Sequence, residues 1–343
     1  MRHRSLAVAT LAWVLAECPG VTQGRGDYLA LLDQYASGQT TDAVAAVAAW
    51  PEPRVRAAVK SLDQEFVLSP ARRRTAVLLH GEAAFVNASR EREPFHLDVA
   101  RSFVGRLLGL PRVPSEIRDF VARFHALWAV VYCTRAEPGL AQNEINRGLA
   151  IDKNNRFVNL IAGALDEYRV AAREPNPRGT WYVREGNPTP RKLLDRAAQT
   201  YQEIIAKHPE FYEAKLRLGW VLALDDSRDK AREQLEVVAA QATRSDLAYL
   251  AHMFLGSLHE RARRPADAAG EYEAARAVAP FQSSFVALMR IAAAGGENER
   301  VRSLVAELSE VPPDQDDPWS VYFLCGRSGE SLLDGLRAEA LRP

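Results

Sequence analysis

The chain reads as all-α, a stack of antiparallel helix pairs, and three observations predict it. Alanine and leucine dominate, with arginine and glutamate close behind, a mixture that favours helix. Runs of alternating valine, isoleucine and threonine, the mark of half-buried strands, are absent. Small residues recur at fixed spacing: Gly163, Gly219 and Gly256 each sit inside a helical stretch, Ala231 lies twelve residues after Gly219, and Ala268 twelve after Gly256. A small residue on each member of a helix pair lets the two approach closely. Pairs that stack this way form a solenoid, in which each unit touches only its neighbours and an extended surface is left for binding. Such an array accounts for 343 residues without one large core.

The N-terminus reads as an export signal. Arg2 and Arg4 precede a twelve-residue apolar stretch from Ser5 to Ala16, and Pro19 and Gly20 break it. That stretch fits a signal core of roughly 7–15 residues and falls short of the roughly 20 needed to span a bilayer. The alternative is a first buried helix of the stack. Leu15-Ala16-Glu17-Cys18 resembles a bacterial lipobox, which makes Cys18 the candidate for lipidation, although Glu17 stands where that pattern has a small residue. Without lipidation, cleavage falls after Gly20 or Gly24 and Cys18 is lost. Cys133 and Cys325, each in an apolar stretch, read as buried thiols, and the sequence leaves open whether they pair.

Helices are expected in order along the chain. Asp27 to Ala36 and Thr40 to Ala49 form a pair broken at Ser37-Gly38-Gln39, with Ala43, Val44, Val47 and Ala48 as an apolar stripe. Trp50-Pro51 stops the second, because the residue before proline is pushed out of the helical region. A helix from Arg54 to Phe66 follows. Ser69-Pro70 then reads as a cap plus a proline at the first helical position, opening a helix to Asn87. Charged residues from Ser89 to Pro94 make a loop before the helix from Phe95 to Leu108. Leu110 to Pro114 connects it to a long apolar helix carrying Phe120, Phe124, Trp128 and Tyr132.

From Ala122 onward the pattern resembles the tetratricopeptide repeat, a helix pair of about 34 residues. That family has small residues at its eighth and twentieth places, large ones at the seventh, eleventh and twenty-fourth, and often proline at the thirty-second. Starting at Ala122 puts Ala129, Tyr132, Ala141 and Ile145 in register, and Arg156 then places Gly163. Ala197, Tyr201 and Pro209 complete that repeat after an inserted segment at 173–190. Tyr212 opens a third with Leu218, Gly219, Leu222, Ala231 and Leu235, and Tyr249 a fourth with Leu255, Gly256, Ala268, Tyr272 and Pro280. A weaker pair follows, Gln282 to Ala294 and Glu297 to Glu310. The expected organisation is a signal or lipoprotein signal at 1–24, divergent helical repeats at 25–121, repeats of this family at 122–310, and a cap at 311–343. The resemblance implies a right-handed superhelix of antiparallel pairs, with Trp319 to Leu324 and Leu332 to Leu341 covering the open end.

The chemistry of catalysis is not legible. GxSxG, P-loop, GxGxxG and HExxH patterns are absent, and so is any CxxC or Cys/His ligand spacing. The seven histidines are scattered. His252 and His259 share a helix face but stand about 10 Å apart, and both read as core or surface residues. Lys+Arg and Asp+Glu are both 44, so the basic excess of a dedicated nucleic-acid binder is missing. Arg72-Arg73-Arg74 reads as a solvated face. No cofactor or metal is expected, and the partner is a protein or peptide. A tether to a membrane is expected only through the N-terminus.

In the resembled family the first helices line a concave groove. Carried over, the candidate partner-binding residues are Leu160, Glu167, Tyr168, Leu216, Trp220, Met253, Glu260 and Arg261. At the fifth and ninth places of the repeats, which are Ala126, Val130, Leu160, Ala164, Leu216, Trp220, Met253 and Ser257, none of the lysine, asparagine and arginine of a carboxylate clamp is present. An apolar groove either receives a partner's amphipathic segment or is filled by the chain itself. The inserted segment carries Thr180-Trp181-Tyr182-Val183, with Trp181 and Tyr182 as candidate plugs. The expectation is a non-enzymatic interaction scaffold in a bacterial envelope. Its rivals are an enzyme whose site lies near His80, Glu82, His96 and His125, an intracellular adaptor whose first helix is real structure, and a lipid-anchored assembly factor.

Overall fold

The computed structural model describes residues 19–64, 69–88, 95–108, 115–171, 189–225, 227–312 and 317–322. Every regular element among them is a helix. The N-terminal part comprises α1 (Pro19–Ala36), α2 (Thr40–Ala49), α3 (Glu52–Gln64), α4 (Pro70–Ala88) and α5 (Phe95–Leu108). Paired helices follow: α6 (Ser115–Thr134) with α7 (Pro138–Ile151), α8 (Arg156–Ala171) with α9 (Pro190–Lys207), and α10 (Tyr212–Leu224) with α11 (Arg228–Gln241). The last two pairs are α12 (Ser245–Arg261) with α13 (Pro265–Val278), and α14 (Gln282–Ala294) with α15 (Asn298–Leu308). A short helix, α16 (Pro318–Val321), closes the described chain.

Local chemistry places the ends. Thr189 accepts from the Lys192 amide at 3.3 Å ahead of Pro190, and Ser69 accepts from the Arg72 amide at 3.3 Å ahead of Pro70. Each satisfies an orphan donor of the first turn, where proline loses no hydrogen bond. The tight turns between paired helices need one left-handed residue. Gly38 and Gly296 supply it, and so do Ala136 and Arg263, at a cost of about 1–2 kcal/mol each for a residue with a Cβ.

The recurring small residues mark helix crossings. An added Cβ at Gly163 would lie 2.6 Å from the Tyr201 ring, at Gly219 2.7 Å from Leu235, and at Gly256 2.4 Å from the Tyr272 ring. In each pair a large side chain of the second helix therefore rests on bare backbone of the first. Gly81 behaves differently, since its hypothetical Cβ meets Phe124 of α6, two helices further on. The N-terminal helices thus pack by another rule. Helix α1 lies against α2, α3 and α4, and begins at Pro19 rather than at Asp27. Tyr28, Leu32 and Tyr35 anchor it in the core. The expected cleavage points after Gly20 and Gly24 fall in its first turns, upstream of the first anchored side chain.

One core runs from α1 to α8, a second from α10 to α16, and a smaller one joins α8, α9 and α10. Cys133 is a free, buried thiol. Cys18, Cys325, Trp181, Tyr182 and residues 332–341 lie outside the described residues. Among the described residues no helix is long and apolar enough to cross a membrane.

Candidate functional site

The face made by the first helices α8, α10 and α12 is covered by the chain's own residues Asp317–Tyr322. Asp317 Oδ2 accepts from the Ser283 amide at 2.8 Å, at the start of α14. Its Oδ1 accepts from the Trp319 amide at 2.9 Å and lies 3.4 Å from the Tyr249 hydroxyl. This carboxylate therefore caps two helix starts. Trp319 and Tyr322, three residues apart, share one face and both meet Phe254, with ring centroids 4.8 and 5.0 Å away. Trp220 stacks on the same phenylalanine at 4.7 Å. Residues 317–322 of the expected cap lie along α12 and reach the start of α14, because Asp317 finds the bare α14 amide and the rings of Trp319 and Tyr322 find Phe254.

Beneath Tyr322 lies a charged floor. The Arg217 guanidinium stands 4.8 Å from the Tyr322 ring centroid. It pairs with Glu167 at 3.2 Å and with Glu213 at 3.3 Å. Glu167 also accepts from the Tyr201 hydroxyl and lies 3.4 Å from the Tyr322 hydroxyl. Burial pushes the Glu167 carboxyl above the usual carboxylate range, against the pull of Arg217 and of the tyrosine hydroxyls. Arg217 stays charged despite its own burial, because Tyr322, Glu167, Tyr201 and Glu213 all favour the cation.

The expected groove residues distribute unevenly. Leu160, Leu216 and Met253 are fully buried, and Glu167 belongs to the floor just described. Trp220 and Tyr168 are half-buried. Glu260 accepts from the Tyr272 hydroxyl at 2.7 Å and from Arg290 at 2.6 Å. Exposed Arg261 donates to the Ala223 carbonyl at 3.0 Å, tying α12 to α10. Arg217, Glu213, Phe254, Asp317 and Tyr322 were not among the groove expectations. A signal for two of them was present, because Arg217 and Phe254 occupy the same place in successive repeats, one residue past Leu216 and Met253.

A second concavity of about 810 Å³ opens between α7, α8 and α9. Its wall holds Gln142, Asp166, Arg169 and Arg196, and these satisfy one another: Arg196 forks onto Asp166, while Arg169 reaches Gln142 at 3.0 Å and Asp166 at 3.5 Å. Tyr168 lines it too.

The buried histidines and glutamates of the N-terminal part fall into three separate sets of contacts. His80 Nε2 lies 2.9 Å from the Tyr28 hydroxyl, and its Nδ1 lies 2.8 Å from His96 Nδ1. That contact admits only one proton in neutral rings. Burial and the neighbouring His96 hold His80 below the usual range, and burial lowers His96 to about 4. Tyr35 donates to Glu82 at 2.6 Å. His125 is elsewhere, 2.8 Å from Glu144, which also takes Arg101 at 2.9 Å and Arg147 at 2.6 Å. The four residues of the enzyme reading are thus divided, and His80 and His96 are shut from solvent as the link between α1, α4 and α5. His252 pairs with Glu271 at 2.8 Å, and His259 faces Asp267 at 4.0 Å. Among the described residues no group of three or more histidine, cysteine or acidic side chains is placed to hold a metal.

No family model and no curated protein matches the chain. Solved structures do. A monomeric mutant of IFIT1, solved with Gppp-AAAA, is 14% identical, covers 93% of this chain and 66% of its own, and superposes with a TM-score of 0.54. The human IFIT1 dimer with PPP-AAAA is also 14% identical, covering 96% and 71%, with a TM-score of 0.51. Pseudomonas aeruginosa PilF is 19% identical over 71% of this chain and 96% of its own, with a TM-score of 0.43. At such identities the likeness concerns fold alone. Together with the glycine crossings, the likeness to the two IFIT1 structures shows an all-helical solenoid of tetratricopeptide-like pairs.

Proposed function

We propose that the chain is a non-enzymatic interaction scaffold of the bacterial cell envelope, and that the first-helix face of α8, α10 and α12 binds an apolar or amphipathic partner segment. One observation carries the reading: that face already holds a short segment of this chemistry, seated by a capped carboxylate and two aromatic rings. The envelope assignment rests on the Arg2 to Ala16 segment. Cleavage after Gly20 or Gly24 would leave Tyr28 and the rest of the α1 anchor in place.

IFIT1's ligand is not carried over. Formal net charge is +0 here, and the arginine under the face is paired with two glutamates. The experiment is capture from envelope extract with wild type, Trp220→Ala and a deletion of Gly179–Val183 in parallel. Capture of a defined partner by wild type and its loss with Trp220→Ala is the expected result. Capture that ignores Trp220 overturns this site, and capture only after the deletion transfers the plug to the inserted segment.

A further inference from the structure

We infer that Asp317–Tyr322 is an internal ligand of the groove, and that a partner docks by displacing it with the same chemistry: a carboxylate followed closely by two aromatic side chains three residues apart, the second a tyrosine. The inference rests on the reading that this face is a binding site.

The geometry sets that chemistry contact by contact. A carboxylate is needed at the Ser283 amide, where α14 begins and its first amides lack intrahelical partners. Spacing of three puts two rings on one side of a single helical turn, matching the single platform of Phe254. The second ring lies against a guanidinium, which favours an electron-rich face, and its hydroxyl points toward a carboxylate. Tyrosine meets both requirements, whereas phenylalanine meets only the first.

The occupant is built to leave. Helix α16 has four residues, too few to hold helical shape by itself, so its conformation depends on docking. Its removal would return Arg217 and Glu167 to water and recover part of their desolvation cost. An aliphatic core would recover nothing. A short covalent tether presents the segment at an effective concentration of about millimolar. A free segment binding the empty groove at about ten micromolar would therefore bind the closed chain about 100-fold more weakly.

The test uses the full chain and a fluorescein-labelled peptide carrying residues 315–324, read by anisotropy. Trp319→Ala/Tyr322→Ala in the full chain removes the internal competitor and leaves the groove residues untouched. The double variant is expected to bind the peptide at least about 10-fold more tightly than wild type, and a peptide with alanine at both aromatic positions is expected not to bind. The inference is overturned if the folded double variant fails to bind the peptide, or if it and wild type bind equally. It is also overturned if the double variant does not fold, since the segment is then core. Failure of the peptide alongside Trp220-dependent capture from envelope extract sinks this inference alone. Failure of both sinks the function reading as well.

Discussion

The same four-residue device occurs twice in the stack, once covered and once open. In α8 and α9, Gly163 receives the ring of Tyr201, whose hydroxyl reaches Glu167 one turn along, and Glu167 pairs with Arg217 of the next first helix. In α12 and α13, Gly256 receives Tyr272, whose hydroxyl reaches Glu260, and Glu260 pairs with Arg290 of α14. Side-chain exposure separates them: 5% and 2% for Glu167 and Arg217, against 27% and 63% for Glu260 and Arg290. In the open copy the helices pair on the same glycine and tyrosine while the charges stay part-exposed. Covering of the charges at the first copy is an addition, and Tyr322 contributes to it.

The largest break in that comparison comes from its glutamates. Glu167→Ala leaves Arg217 buried with Glu213 as its remaining carboxylate and is expected to cost about 3–5 kcal/mol, read by urea unfolding. Glu260→Ala removes a half-open pair and is expected to cost less than about 1 kcal/mol. Equal losses would mean that burial of the first site is energetically idle.

The glycines sharpen the comparison from the other side. Gly163→Ala and Gly256→Ala each drive a Cβ into a tyrosine ring held by its own hydroxyl bond. Each is expected to cost about 1–3 kcal/mol in overpacking, less about 1 kcal/mol returned as helix propensity. The two costs should match, because this part of the device is the same at both sites. A large difference would tie the covered site's packing to the C-terminal segment.

A pH titration contrasts these charged sites with the neutral one at the N-terminal end. His96 has a folded value of about 4, below its unfolded value of about 6.5, so the folded state favours the neutral ring. Its contribution is complete above about pH 6.5 and is lost as pH falls toward 4, amounting to about 2 kcal/mol by pH 5. His80 shifts in the same direction. His96→Gln should flatten the loss of stability between pH 6.5 and 5, and an unchanged slope would contradict the burial of a neutral pair.

Much of the repeat architecture was legible because helix crossings demand small residues, and glycine in a helix is conspicuous. Gly163, Gly219 and Gly256 located three pairs, and Ser69-Pro70 located one helix start. The N-terminal half was legible as helices only. Gly81 looks like the other glycines, yet it faces a helix two elements away, and nothing local encodes that distance. At the site, Glu167 and Trp220 were found by repeat position. Arg217 and Phe254 sit one residue, about 100° of helix, from the positions taken to face the groove. Asp317 and Tyr322 were illegible as groove occupants, because their contacts reach 34 and 155 residues back along the chain. Sequence spacing carries no information at that range.

The central claim is that Asp317–Tyr322, although Tyr322 packs into the second core, opens independently of α12 and can be displaced. Amide hydrogen exchange of the wild-type chain tests it most directly. The account expects amides of residues 319–322 to exchange through local opening, orders of magnitude faster than those of α12 around Phe254 beneath them. Equal protection of the two, lost together in one cooperative step, would contradict it.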